Sequence, residues 1–170
     1  MSKVDVRRRV WVMVSGYETG RHHVSRRVLR GFNAERFTAL RKSKTSMMEL
    51  ARLSGVTSST IYGWEAGTFT PQVDKLASVM KVLGAPIAHV VVVPVDKRYP
   101  GDWRVLCGLT QPQLAAAAGI ATTTLKKIER GETTLTADKA AKLSHLLGTP
   151  VEDYEAAWRR ARDRPPGAPV

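Results

Sequence analysis

The stretch LARLSGVTSSTIYGWEAG, Leu50 to Gly67, returns 64 positions later without a gap as LAAAAGIATTTLKKIERG, Leu114 to Gly131. Leu50 aligns with Leu114, Ala51 with Ala115, Gly55 with Gly119, Val56 with Ile120, and Thr60 with Thr124. Ile61 aligns with Leu125, Glu65 with Glu129, and Gly67 with Gly131. Apolar and glycine positions agree while the rest vary, the pattern of one structural unit used twice with different surfaces. The offset implies two units of about 55–65 residues, a size that folds alone only marginally. Packing between the units, or binding to a partner, would then add stability. A chain of 170 residues has room for both.

Each copy reads as the same run of helices. Asn33 can cap a first helix carrying Phe37 and Leu40 on one face. Ser46 with Glu49, and Thr110 with Gln113, have the spacing of capping boxes that open a second helix. Pro112 falls in the first turn there, where its missing N–H does no harm. Gly55 and Gly119 supply the left-handed backbone that ends this helix and redirects the chain. Thr57 caps the next helix; its copy has Ala121, so Thr122 is expected to take over from a weaker start. A fourth helix buries Leu76, Val79, Met80 and Leu83, matched by Ala140, Leu143, Ser144 and Leu147 after a Thr136 cap. Gly84-Ala85-Pro86 and Gly148-Thr149-Pro150 end these helices. The second unit then continues as a helix capped by Thr149, with Glu152 in box position and Val151, Tyr154 and Trp158 as its apolar stripe. The first runs instead into HVVVVPV, a β-branched segment that favours an extended strand. The fold class is therefore all-α, two five-helix bundles in tandem, with a short strand element from the N-terminal arm and Val90–Val93. The expected organisation is a basic arm over 1–30, domains over 31–95 and 96–164, and a tail over 165–170. The short DKRYPGD linker restricts how the two domains can orient.

A capped helix, a glycine turn and a second capped helix of about eight residues form a helix-turn-helix. Val56, Ile61 and Trp64 anchor its last helix in the first copy, and Ile120, Leu125 and Ile128 do so in the second. Ser58, Ser59, Tyr62 and Gly63 then face outward in the first copy, and Thr122, Thr123, Lys126 and Lys127 in the second. An α-helix fits the major groove of B-DNA, and hydroxyl and lysine side chains can reach base edges or phosphates there. The bland alternative for the two lysines is a solvated helix face.

LTQPQLAAAAGIATTTLKKIERG and SMMELARLSGVTSSTIYGWEAG resemble the helix-turn-helix of the Cro/lambda-repressor-like, or XRE, family. Tandem copies in this style resemble regulators of actinobacterial or phage type. The resemblance implies five-helix bundles, sequence-specific binding to double-stranded DNA and transcriptional control, commonly as a dimer. It also implies that Gln111 contacts phosphate or base, a residue replaced by Met47 in the first copy. The closing glutamates would pair with arginines of each first helix, Glu129 with Arg104 and Glu65 with Arg41, holding the bundle. With two units in one chain, either a homodimer or a pseudo-dimeric monomer fits. The competing reading assigns DNA to the second unit and a protein partner or another copy to the first, as in an antitoxin-like or phage-immunity regulator.

Charge supports a polyanionic partner. The net charge is +12, and residues 1–30 hold eight Lys/Arg against Asp5 and Glu18. Arg7, Arg8, Arg9, Arg26, Arg27 and Arg30 form a candidate phosphate-contacting arm, with a short strand from Val10 to Val14. The competing reading places the working start downstream of this segment. Cys107 is the single cysteine, which excludes an intramolecular disulfide and a cysteine-rich zinc site. His22, His23, His89 and His145 lack metal-site spacing. No nucleophile–base set or phosphate loop is present, so no catalytic residue, cofactor, metal or small-molecule ligand is expected. No apolar run reaches the roughly 18 residues of a membrane span. The expected location is cytoplasmic and nucleoid-associated.

Overall fold

A computed structural model of the chain describes residues 28–170; Arg7, Arg8, Arg9, Arg26, Arg27, His22, His23 and the strand expected at Val10–Val14 lie outside them. Nine α-helices are found among the described residues: α1 Ala34–Lys44, α2 Met47–Ser54, α3 Ser58–Glu65, α4 Val73–Leu83, α5 Pro100–Leu106, α6 Gln111–Ala118, α7 Thr122–Glu129, α8 Ala137–Leu147 and α9 Val151–Arg162. Adding 64 to the bounds of α2, α3 and α4 gives those of α6, α7 and α8. The repeat in sequence is a repeat in structure.

The local signals act largely as expected. Asn33 accepts from the Arg36 amide at 2.8 Å, and Thr57 and Thr136 cap α3 and α8. Thr110 and Gln113 form the full box that opens α6. Ser46 and Glu49 form only half of theirs. Ser46 accepts from the Glu49 amide, but the Glu49 carboxylate is drawn into a two-point ion pair with Arg52, one turn on. Two further caps need correction. Thr122 does not take over at α7, because Ala121 holds the N-cap position and offers no side-chain acceptor. Pro150, not Thr149, is the N-cap of α9. The Thr149 amide closes α8 on Ser144 O at 3.0 Å, which places Thr149 one residue before the helix and leaves its buried hydroxyl unpaired. Restoring a cap with Ala121→Thr is expected to stabilise the second unit by about 0.5–2 kcal/mol. Chemical denaturation checks this, and no change in midpoint would show that the α7 amides are already satisfied.

Each unit surrounds its own apolar centre. The first gathers Phe37, Leu50, Ile61, Trp64, Leu76 and Val79, all at most 1% exposed, with Phe37 edge-on to Trp64 at 5.7 Å. The second gathers Leu114, Leu125, Ile128, Leu143 and Tyr154. Burying such side chains is worth roughly 1.5–3 kcal/mol each, the term that holds both bundles together. On α9 the stripe is Tyr154, Ala157 and Ala161; Trp158 is half-buried and donates Nε1–H to Thr133 O at 3.1 Å.

The second unit is a bundle of five α-helices, α5 to α9. In the first, four α-helices are followed by a 3₁₀ turn, Ile87–His89. The valine run then forms a single antiparallel bridge, Val91 to Phe32. The bridge is flanked by Asn33 N–H to Val90 O and Val92 N–H to Gly31 O, each 2.8 Å. The strand element therefore joins residues 31–33 to the valines, and it is one bridge because the 3₁₀ turn and Pro94 confine the extended run. Space left beside the turn is filled from outside: Val105 and Leu106 of α5 pack into the first unit's core. Gly108, at φ +69°, lets this approach happen, since a Cβ there would lie 2.9 Å from Ala77 Cβ.

A polar latch reinforces this shared helix. Arg30 donates to Asp102 Oδ2 at 2.6 Å and to Lys97 O at 3.0 Å, with its guanidinium 4.6 Å from the Tyr99 ring centre. Asp102 Oδ2 also accepts from the Tyr99 amide at 2.8 Å. Burial pushes the Asp102 carboxyl above its ordinary pKa, against the opposing pull of the Tyr99 amide and Arg30. On the other side Arg160 of α9 donates to Arg98 O and Val95 O, while Arg98 stacks on Trp103 at 4.3 Å. The linker is thereby clamped between the units.

Candidate nucleic-acid interface

The turn geometry sets α3 and α7 across the ends of α2 and α6. Gly55 and Gly119 end those helices at φ +70° and +65°, left-handed conformations that cost a glycine little. Ile61 and Trp64 anchor α3, while Leu125 and Ile128 anchor α7, all buried. Buried ion pairs then lock the far end of each helix. Arg41 holds Glu65 through Nε–Oε1 at 2.5 Å and Nη2–Oε2 at 3.0 Å. Arg104 holds Glu129 through the same atoms at 2.6 and 3.2 Å, and donates to Leu109 O at 2.8 Å. The two pairs sit one residue out of register in sequence. The α5–α6 connection absorbs the difference, running through Cys107, Gly108 and Leu109 where α1 and α2 are joined by Thr45 alone before the cap. Cys107 is exposed at the end of α5, and its thiol donates to Leu147 O at 3.5 Å.

On α7 the four candidate residues lie along one side, the threonines in its first turn and the lysines in its last. Thr122, Thr123 and Lys127 are exposed and Lys126 is half-buried. Thr122 with Lys126, and Thr123 with Lys127, are four apart and so neighbour one another on one face. The absent cap at Ala121 leaves the first amides of this helix without a side-chain partner, at an end that favours anions.

On α3 the corresponding face is different. Ser59 is exposed, its hydroxyl 3.2 Å from Thr57 Oγ1, and Ser58 is half-buried. Tyr62 is 64% exposed. Gly63 does not face outward: it is buried under Phe69, whose Cε1 would lie 2.3 Å from a Cβ at that position. Phe69 stands where the copy has Thr133, an aromatic in a loop and outside the helical periodicity that places Gly63 on the outward face.

Gln111 and Arg30 are both engaged within the protein. Gln111 Nε2 donates to Glu129 Oε2 at 2.6 Å, extending the Arg104 ion pair to the start of α6. Met47, its counterpart, packs on the first core. Arg30 belongs to the latch. Tyr154 lies beneath the Arg104–Glu129 pair, and burial, then the Glu129 charge, push its phenol far above the ordinary pKa against Arg104. A cleft of about 600 Å³ opens between the units, lined among others by Arg30, Asp74, Tyr99, Thr110, Gln111 and Val170. Among the described residues no group of three His, Cys, Asp or Glu side chains sits where it could hold a metal ion.

Two helices, each braced by a glycine turn, an apolar anchor and a buried ion pair, define two helix-turn-helix units in one chain. A family model described as helix-turn-helix matches the chain twice, over residues 38–90 and 102–154, together more than half its length. The chain belongs to this family, in its XRE form, and is a DNA-binding transcriptional regulator whose partner is double-stranded DNA. No curated protein matches it, and no solved structure does. None of the helices among the described residues is long and apolar enough to cross a membrane.

Proposed function

We propose that this regulator is a cytoplasmic, nucleoid-associated repressor whose two units bind one operator together, a single chain acting as a pseudo-dimer. The observation that supports this most is the match in register of α2–α4 with α6–α8, which gives both units a presented helix on the same scaffold. The contacts are Ser58, Ser59 and Tyr62 from the first unit and Thr122, Thr123, Lys126 and Lys127 from the second. Gln111 contributes at the phosphate next to α6 by exchanging its bond to Glu129. The division at residues 95 and 96 separates the two readers, and arginines of residues 1–30 add sequence-independent phosphate contacts. Occupation of the operator blocks transcription from an overlapping promoter.

A footprint on DNA selected from a random pool tests this reading. Ser59→Asp and Thr123→Asp each place a carboxylate against a groove edge without disturbing either core. Each is expected to erase protection of one half-site and to lower affinity at least tenfold. A footprint of one half-site that ignores Ser59→Asp would instead favour the second reading, a first unit that docks a protein. Met48 at 80% exposure and Leu53 at 51%, both on α2, favour that alternative.

A further inference from the structure

The two presented helices carry different chemistry at matching positions. Lys126 of α7 is replaced on α3 by Tyr62, and Lys127 by Gly63. The second exchange is enforced sterically: the Phe69 ring occupies the space that any side chain at 63 would need. Glu65, the one charged residue of α3, is tied to Arg41 and faces inward. The residues of α3 itself therefore offer a serine hydroxyl and an exposed aromatic ring, with the half-buried Phe69 over Gly63, and no cation of their own. The face of α7 offers two threonine hydroxyls and two ammonium groups.

Base edges in the major groove answer these chemistries differently. Guanine presents two adjacent acceptors, O6 and N7, that suit lysine, while the C5-methyl of thymine is the one apolar group available. We infer that the operator is chemically asymmetric: the first unit reads a thymine-rich half-site through methyl contacts from Tyr62 and Phe69, and the second reads a guanine-bearing half-site through Lys126 and Lys127. This rests on the reading that both units bind one operator. Tyr62 is the specificity-determining residue of the first unit, and Phe69 both adds apolar surface and keeps a longer side chain out of the groove.

Base analogues in the selected operator test the assignment on the full chain. Deoxyuridine differs from thymidine by the methyl group alone. Replacing thymidines in the half-site lost on Ser59→Asp should weaken binding about fourfold for each methyl contacted, the factor expected for one buried apolar carbon. Tyr62→Ser should weaken binding to the thymidine operator and abolish most of the analogue effect, whereas Tyr62→Phe should keep it. In the other half-site 7-deazaguanine, which lacks the N7 acceptor, should weaken binding by the wild-type chain and leave that of Lys126→Ala or Lys127→Ala unchanged. Deoxyuridine without effect, or a first half-site of G·C pairs, overturns the inference while leaving two-unit binding intact. A footprint confined to one half-site overturns both, and the two failures are told apart by the footprint itself.

Discussion

Glu129→Ala is expected to destabilise the second unit by about 3–5 kcal/mol, because it leaves the Arg104 guanidinium buried without a countercharge. Arg104 and Glu129 side chains are 10% and 6% exposed, so solvent screens the pair little. The substitution also strands Gln111, whose amide donates to the same carboxylate. A unit of this size holds roughly 3–10 kcal/mol in total, so the variant should lie near the edge of unfolding and lose operator affinity with its fold. Urea denaturation followed by circular dichroism checks the loss. Arg104→Met combined with Glu129→Leu removes both charges together and should recover much of it. A loss below about 1 kcal/mol in Glu129→Ala would mean that the pair behaves as a surface bridge.

The second large effect concerns DNA. Lys126→Ala and Lys127→Ala are each expected to weaken operator binding, and the manner of weakening assigns the contact. A lysine on phosphate contributes about 0.9 to the slope of log affinity against log salt, and its loss falls equally on every sequence. A lysine on guanine contributes about 1–3 kcal/mol of discrimination, roughly 5- to 150-fold, and its loss falls on the operator far more than on random DNA. Titrations of both variants at several salt concentrations, on operator and random duplex, separate the two. Lys127, fully outward, should carry the larger effect. Unchanged operator affinity in both variants would remove α7 from the interface.

What could be read in advance was what repeats or lies close in sequence. The Asn33, Thr57 and Thr136 caps are short-range patterns, the glycine turns are checked by their 64-residue repeat, and the Arg–Glu pairs, 24 and 25 residues apart, were implied by the family resemblance. The exceptions have physical reasons. Glu49 had two partners within one turn, and Arg52 won over the cap. Thr149 was displaced by a proline that already has the backbone of an N-cap. Gly63 looked outward by periodicity, but a ring from the following loop covers it. Arg30 and Asp102 are 72 residues apart, and no period or motif announces a bridge across that distance. Apart from Gly63, the presented faces were legible as positions. The Phe69 ring above Gly63 supplies the steric cause of one of their differences in chemistry, the exchange of Lys127 for glycine.

The helix α5 is built as the first helix of one unit and completes the core of the other, with Val105 inside the first core, Leu106 packed against it and Arg104 paired to Glu129 of α7. Turning one unit against the other would pull those side chains out of a packed interior and break the Arg30–Asp102 bridge. For an operator bound by both units, the helical phase of the DNA then becomes part of what is recognised. One base pair inserted between the half-sites rotates one of them about 34° around the duplex axis, since a turn holds about 10.5 pairs, and the protein has no swivel with which to follow. For such an operator α5 sets the spacer length, while the helices it supports face the bases.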